Sequence, residues 1–424
     1  MSILYPNSVL KKDHAVTDSK FPIQTPAGFQ VAGVHAGLKK DGALDMTLIA
    51  SSAPCQAAGV FTRNQMKAAP VLLDMDRLAA ARDGYQAVIV NTRCANACTG
   101  ERGLADARQM ARLTAQQLGC GEEAVLVLST GVIGSFLPME KIAAGIHLAA
   151  EALGQDWEAA ARGIMTTDTR PKFASASQTT ADGKTYQISG ISKGAGMIAP
   201  NMATMLSVVV TDAAVSPERL DAALKQVADR TFNRIVIDGD MSTNDTLLLL
   251  ANGASGAVID EAEWPAFVSA LEGVCRALAQ AIVRDGEGVT KFITLNVSGA
   301  ESDAAAHQIA NTIATSPLVK TAFFGNDANW GRIVAAAGRA GVAIRPEETR
   351  LWLTPGEHYI RTPDSLLIFE GGMAAAYSEE HATGIVRSPE VSVHLEVGTG
   401  AGQAVVWTCD LSHDYVSING DYRS

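Results

Sequence analysis

Thr204 closes the segment Lys193-Gly-Ala-Gly-Met-Ile-Ala-Pro-Asn-Met-Ala-Thr204-Met-Leu and precedes a β-branched run that reaches Thr211. The glycines and Pro200 read as a loop delivering a hydroxyl to the start of a strand. Two roles fit a threonine in that place: it can satisfy a backbone group at a strand entrance, or it can act as a nucleophile. None of the eight histidines, at 14, 35, 147, 307, 358, 381, 394 and 413, lies near a Gly-x-Ser-x-Gly elbow or a cysteine signature. A Ser/His/Asp hydrolase is therefore unsupported. A hydroxyl nucleophile without histidine needs another base. A threonine freed at its own N-terminus carries one in its α-amine, which titrates near about 7.7–8.0. Ala203, small and on the carbonyl side, would admit the crowded tetrahedral geometry of such a cut.

Other polar clusters suggest weaker chemistry. Thr130-Gly131 follows the apolar run Ala124–Leu128, so a tight turn could offer a hydroxyl and a backbone N–H to a developing oxyanion, or simply end a strand. Lys193 could be a point charge for a substrate carboxylate or a solvated loop lysine. Glu287 lies between two glycines in Asp285-Gly-Glu-Gly, where the backbone can approach closely, but the segment also reads as a helix-ending turn after Leu278–Arg284. Asp238, Asp240 and Asp245 miss the calcium-loop spacing and read as side chains capping nearby backbone, so no metal is expected. Cys94 and Cys98 have no second pair at zinc spacing, and the six cysteines read as buried free thiols in a reducing compartment.

These residues need a scaffold. A chain of 424 residues, 47% hydrophobic and 5% aromatic, suits tightly packed layers and more than one core. Its formal charge of −11 speaks against nucleic-acid or anionic-membrane partners, but not against small acidic metabolites. The N-terminal residues show neither a secretory h-region nor an acid-free transit peptide, which reads as cytoplasmic, and no apolar run is expected to span a bilayer. Strands are expected at 86–91, 124–128, 205–211, 234–238, 246–251 and 292–298, buried on both faces. Helices are expected at 101–118, 138–153 and 217–229, the last capped by Ser216 with Pro217 in its first turn. Toward the C-terminus, a helix over 329–339 and strands near 366–369, 391–396 and 404–411 suggest a separate, smaller α/β unit. The interleaving is that of a layered α/β protein.

In its motifs the sequence resembles the ornithine acetyltransferase (glutamate N-acetyltransferase) family. The resemblance rests on the Lys193–Leu206 segment, Ser129-Thr130-Gly131-Val-Ile-Gly134, Thr166-Thr167-Asp168-Thr169, Asp238-Gly-Asp-Met-Ser-Thr-Asn-Asp245, Asp285-Gly-Glu287-Gly, Asn329-Trp-Gly-Arg332 and Asp414-Tyr-Val-Ser-Ile-Asn419-Gly-Asp-Tyr-Arg-Ser424, in that arrangement over almost the whole chain. It implies an α/β/β/α sandwich of the self-processing aminopeptidase type, with a catalytic unit 1–310 and a C-terminal unit 311–424 whose tail returns to the site. It implies cleavage between Ala203 and Thr204 into segments 1–203 and 204–424, which stay together as an αβ heterodimer, with such units pairing.

The implied activity moves an acetyl group from N2-acetylornithine through Thr204 to glutamate. Thr130 and Gly131 would be oxyanion donors, and Thr167, Lys193, Thr204, Glu287, Asn419 and Ser424 would contact substrate. No cofactor is implied, and acetyl-coenzyme A stays open as a second donor. An amidohydrolase or aminopeptidase of related fold, with water as acceptor, and a catalytically silent binding protein remain the alternatives. The sequence departs from the family pattern at Arg93, where glycine is usual, and at Cys94, Met241, Ala328 and Ser424. Arg93 bears on acceptor choice if its loop borders the cleft.

Overall fold

A computed structural model describes residues 23–199 and 205–420. Thr204, Ala203 and Ser424 lie outside that range. The first half of the chain runs β1 (Phe29–Val34), β2 (Met46–Phe61), α1 (Ala69–Ala80), β3 (Tyr85–Asn91), α2 (Gly100–Leu118) and β4 (Val125–Ser129). It continues through α3 (Met139–Glu151), α4 (Trp157–Gly163), β5 (Lys172–Thr179) and β6 (Thr185–Lys193). After the segment of the expected cut come β7 (Leu206–Thr211), α5 (Pro217–Arg230), β8 (Ile235–Val236), β9 (Thr246–Ala251) and α6 (Trp264–Arg284). Next are β10 (Phe292–Ala300), α7 (Asp303–Ala314), α8 (Pro317–Phe324), α9 (Trp330–Gly338), β11 (Arg350–Pro355) and β12 (Leu366–Glu370). The last elements are β13 (Met373–Ala374), α10 (Glu379–Val386), β14 (Glu390–Glu396), β15 (Gly402–Cys409) and α11 (His413–Gly420).

The first sheet has the order β4-β3-β2-β9-β7-β6-β5, with β1 added on β2. Its shape depends on the long β2. Residues 46–50 pair with β3, the register breaks between Ala50 and Cys55, and Gln56–Phe61 pair with β9. The break folds the two halves of the sheet face to face. The period-2 alternation of strand side chains then fills three layers. Val88, Val90, Leu126 and Leu128 point inward to meet Val208, Val210, Leu248 and Leu250 from the other half. Ala87, Ile89, Val125 and Val127 point outward to α2 and α3, while Val209, Leu247 and Leu249 point outward to α5 and α6. This is an α/β/β/α sandwich. It explains why these strands read as apolar on both faces: each side chain faces a buried layer.

A second sheet, β13-β12-β11-β14-β10-β15-β8, covers the far side of α6 and carries α7 to α10 on its other face. Apart from β8, its strands run from β10 onward, and a division at 310 would fall within α7. Ala306, Ile309 and Ile313 of α7 pack on β10 and β15. β8 is another difference, since only Ile235–Val236 of the run expected at 234–238 pairs, alongside β15. Among the described residues α6 is long and apolar enough to cross a membrane by length and composition. Its Phe267, Leu271, Leu278 and Ile282 lie in the core between the two sheets, where a core helix of a layered protein belongs. Ser216 caps α5 as expected, accepting from the Arg219 N–H, with Pro217 in the first turn.

Because β9 is buried on both faces, adjacent truncations should each be costly. Leu248→Ala and Leu249→Ala are each expected to lower stability by about 2–5 kcal/mol, read from urea midpoints. A strand with one wet face would lose stability at only one of the two.

Candidate active site

Lys193, at the end of β6, is buried in the protein, and its Nζ lies 3.0 Å from Thr130 Oγ1. An ammonium has protons and no lone pair, so Thr130 must accept, and its own hydroxyl proton is left to point elsewhere. No acceptor for that proton, or for the Gly131 N–H, is found among the described residues. Gly131 has φ +134°, and a Cβ there would overlap the Arg93 backbone. Only glycine fits this turn. Two unspent donors side by side at a strand end are what a tetrahedral oxyanion needs.

The turn is clamped from below. Asn244 Nδ2 donates to the Ser129 carbonyl at 2.8 Å and to the Ala95 carbonyl at 2.7 Å, and Ser129 Oγ donates to Asn91 Oδ1 at 2.6 Å. Asn91 in turn donates to the Cys94 carbonyl at 3.0 Å. All of these groups are buried, and burial without partners would be costly.

The Lys193 charge has a neighbourhood of its own. Asp168 Oδ1 accepts from the Gly194 N–H at 2.7 Å and from Lys172 Nζ at 2.6 Å, and Lys172 also reaches Asp285 Oδ2 at 2.6 Å. Asp285 accepts further from the Thr169 N–H and hydroxyl. Burial pushes the Asp168 carboxyl up, but the Lys172 and Lys193 ammoniums and the Gly194 N–H outweigh it and bring it to about 2. Burial lowers the Lys193 pKa, with Asp168 opposing. A desolvated ammonium of this kind remains a strong hydrogen-bond donor.

The loop entering the segment of the expected cut is held by backbone donation to carboxylates. Asp238 accepts from the Met197 and Ile198 N–H groups, the latter at 2.8 Å, and from the Tyr415 hydroxyl at 3.1 Å. Asp245 Oδ1 accepts from the Met205 N–H at 3.0 Å, the amide that directly follows residue 204. The carboxylates expected as local turn caps thus fasten both ends of the segment 197–205. Burial raises Asp245 well above the usual carboxylate range, against the pull of the Met205 N–H and Lys193.

Glu287 accepts from Asn419 Nδ2 of α11 at 2.7 Å, and its own N–H donates to the Ala195 carbonyl at 2.8 Å. A Cβ on Gly196 would overlap the Glu287 carboxylate, so this glycine lets the two segments meet. Thr166, Thr167, Gly131, Arg93 and Ile418 line one cavity of about 810 Å³. Of the residues expected to act together, the structure gathers Thr130, Gly131, Lys193, Thr167, Glu287 and Asn419 here, while Thr204, Ala203 and Ser424 fall outside the described residues. Sequence reasoning missed Asp168, Lys172, Asn244 and Asp285 as the groups that hold the site. Of the cysteines, Cys98 is exposed, correcting the expectation of buried thiols throughout.

The family model for ArgJ matches residues 30–424. The chain belongs to the ArgJ family. Among its ArgJ relatives, the arginine biosynthesis bifunctional protein ArgJ of Geobacter sulfurreducens is 49% identical over 402 residues, covering 94% of this chain and 99% of that protein. The mitochondrial ArgJ of Schizosaccharomyces japonicus is 44% identical, covering 94% and 93%. A crystal structure of the Bacillus halodurans ArgJ is 36% identical, covers 49% of this chain and 95% of that one, and has a TM-score of 0.45. A Mycobacterium tuberculosis ornithine acetyltransferase, solved in complex with ornithine, is 40% identical over 44% of this chain and 96% of that one, with a TM-score of 0.39.

Asp168→Asn in this ArgJ-family chain leaves two buried ammoniums short of a counter-charge. It is expected to cost about 3–5 kcal/mol in denaturant unfolding at neutral pH. The sign follows from the lowered carboxyl: its stabilising share is full above the unfolded value of about 3.9 and is lost as pH falls through about 2. The variant should therefore show a flatter stability curve between those two pH values than the wild type.

Proposed function

We infer that this chain is a glutamate N-acetyltransferase of arginine biosynthesis that takes its acetyl group from N2-acetylornithine. The observation that carries the reading is the pair of unspent donors at Thr130-Gly131, set by the buried Lys193 ammonium at the end of the strand leading to the cleavage segment. Family membership along nearly the whole chain supports it.

In this reading the chain first cuts itself. The Thr204 hydroxyl attacks the Ala203 carbonyl carbon, the peptide C–N bond breaks as the acyl group shifts to oxygen, and water hydrolyses the ester. The freed α-amine is then the base. It takes the hydroxyl proton as Thr204 Oγ attacks the acetyl carbon of N2-acetylornithine, and it returns that proton to the departing ornithine amine. Glutamate's amine resolves the acetyl-enzyme by the same steps in reverse. Each tetrahedral intermediate places its negative oxygen before the Thr130 hydroxyl and the Gly131 N–H, close to a cation that loses little strength to water.

Lys193 and Thr167 offer contacts for the substrate α-carboxylate and acetamide, while Glu287, oriented by Asn419, suits the distal ammonium of ornithine. Ser424 is assigned to the same site by sequence. The two segments remain one αβ unit, and such units pair. No cofactor enters these steps, and acetyl-coenzyme A is a second donor only if it reaches the same threonine. The cytoplasm is our placement; the Schizosaccharomyces japonicus relative is a mitochondrial protein by name.

Intact-mass spectrometry before and after addition of N2-acetylornithine tests the reading. Wild type is expected as two fragments, the second beginning Thr-Met-Leu-Ser and gaining one acetyl group, while Thr204→Ala stays whole and unlabelled. An acetyl group on another residue would overturn the mechanism. Thr130→Val removes the donor hydroxyl and should lower kcat by roughly 10²–10³-fold, with Thr130→Ser recovering most of it.

A further inference from the structure

A ping-pong transferase of this kind must hold, at one acetyl group, two amino acids whose far ends carry opposite charge. The carboxylate that receives ornithine's distal ammonium would repel glutamate's second carboxylate, so Glu287 cannot serve both. The acceptor's far end needs a cation elsewhere in the same cavity.

Arg93 meets that need. It lines the cavity together with Gly131, and its carbonyl accepts from the Val132 N–H at 3.1 Å, so it adjoins the oxyanion turn directly. It is exposed, and no carboxylate or carbonyl partner engages its guanidinium among the described residues. Of the other basic groups on the cavity wall, Arg162 pairs with Glu158 at 2.7 Å, Lys39 Nζ donates to the Leu44 carbonyl at 2.7 Å, and Lys40 is exposed. Arg93 also holds φ at +70°, a left-handed conformation that costs a side-chain-bearing residue energy. Lys39 lies within electrostatic reach of it. Burial lowers the Lys39 pKa, and the Arg93 charge lowers it further against the pull of Asp45, Asp41 and Asp168. Two cations that line the same cavity repel one another, and an anion between them relieves that repulsion.

We propose that Arg93, with Lys39 beside it, is the specificity-determining subsite for the distal carboxylate of the acceptor amino acid, separate from the Glu287 position that takes the donor's distal ammonium. The inference rests on the transfer reading above. A planar guanidinium can grip that carboxylate through two parallel N–H donors, which Lys39 alone cannot do. Bonding to the distal group leaves the acceptor's amine free to attack the acetyl carbon. It therefore sets the acceptor's KM and leaves formation of the acetyl-enzyme alone.

The test compares wild type with Arg93→Gly, which fits the positive φ and relieves its strain, and with Arg93→Lys. Acetyl-enzyme formation from N2-acetylornithine, read by intact mass, is the control. Acceptor kinetics are measured with glutamate and with glutamine, which has the same shape and no distal charge. For Arg93→Gly we expect a KM for glutamate roughly ten- to hundredfold higher, partial recovery in Arg93→Lys, and an unchanged KM for glutamine. The wild-type preference for glutamate should also shrink with added salt. An Arg93→Gly enzyme whose KM for glutamate stays within about twofold of wild type, or rises equally for glutamine, overturns the subsite while leaving acetyl transfer standing. A wild type that takes up no acetyl group overturns the transfer reading and the subsite with it.

Discussion

A buried ammonium is the constraint around which this molecule is arranged. Lys193 cannot sit at the core end of β6 without a counter-charge, so Asp168 comes to its neighbourhood, which brings in Lys172, which in turn requires Asp285. The row joins β5, β6, the loop after α4 and the end of α6. Taken singly, buried ion pairs are weak contributors to stability, because desolvation offsets much of the attraction. Their value here is positional. Any shift of one element uncovers a charge, so the four are held in one geometry, and that geometry leaves the Thr130 hydroxyl proton unspent.

The sandwich delivers the other half of the arrangement. β4 and β6 belong to opposite halves of a sheet folded on itself at the break in β2, so their ends converge although they are far apart in strand order. The loop 238–245 then acts on three targets. Asp238 holds the backbone at 197–198, Asn244 holds the turn at Thr130-Gly131, and Asp245 holds Met205. A short polar loop between β8 and β9 thereby fixes both the site of the expected cut and the donors that would stabilise it.

Much of this was legible in the sequence. The strands whose residues face buried layers on both sides announce themselves as apolar runs, and β9 matches its expected bounds at 246–251. Elements with mixed composition do not. The long β2 contains Ser51-Ser-Ala-Pro-Cys-Gln56, where the sheet bends, and the β5–β6 hairpin carries Ser, Gln and Thr along a partly exposed ladder. Periodicity has little to grip in either. The candidate site shows the same divide. Its segments are recognisable, but within Thr166-Thr167-Asp168-Thr169 and Asp285-Gly-Glu287 the eye goes to groups that could touch a ligand, whereas Asp168 and Asp285 do the holding. Asp168 meets Lys172 four residues on, but the Lys172 and Thr169 partners of Asp285 lie more than a hundred residues earlier, and nothing local in the chain marks that pairing.

The strand order has a further consequence. β2 and β6 precede the expected cut and β7 and β9 follow it, yet in the sheet β9 and β7 lie side by side between β2 and β6. The two segments are therefore interleaved, each supplying the hydrogen-bonding edge of the other. Neither segment completes the first sheet alone, although the second sheet lies wholly in the later one, and they cannot part without breaking two ladders. A single chain finds this arrangement by closing loops on itself. Once severed, the same pieces could regain it only by meeting, so renewal after unfolding would become a second-order process that slows with dilution. Processing of such a fold would work in one direction: a structure assembled as one molecule would persist as two segments that share one sheet.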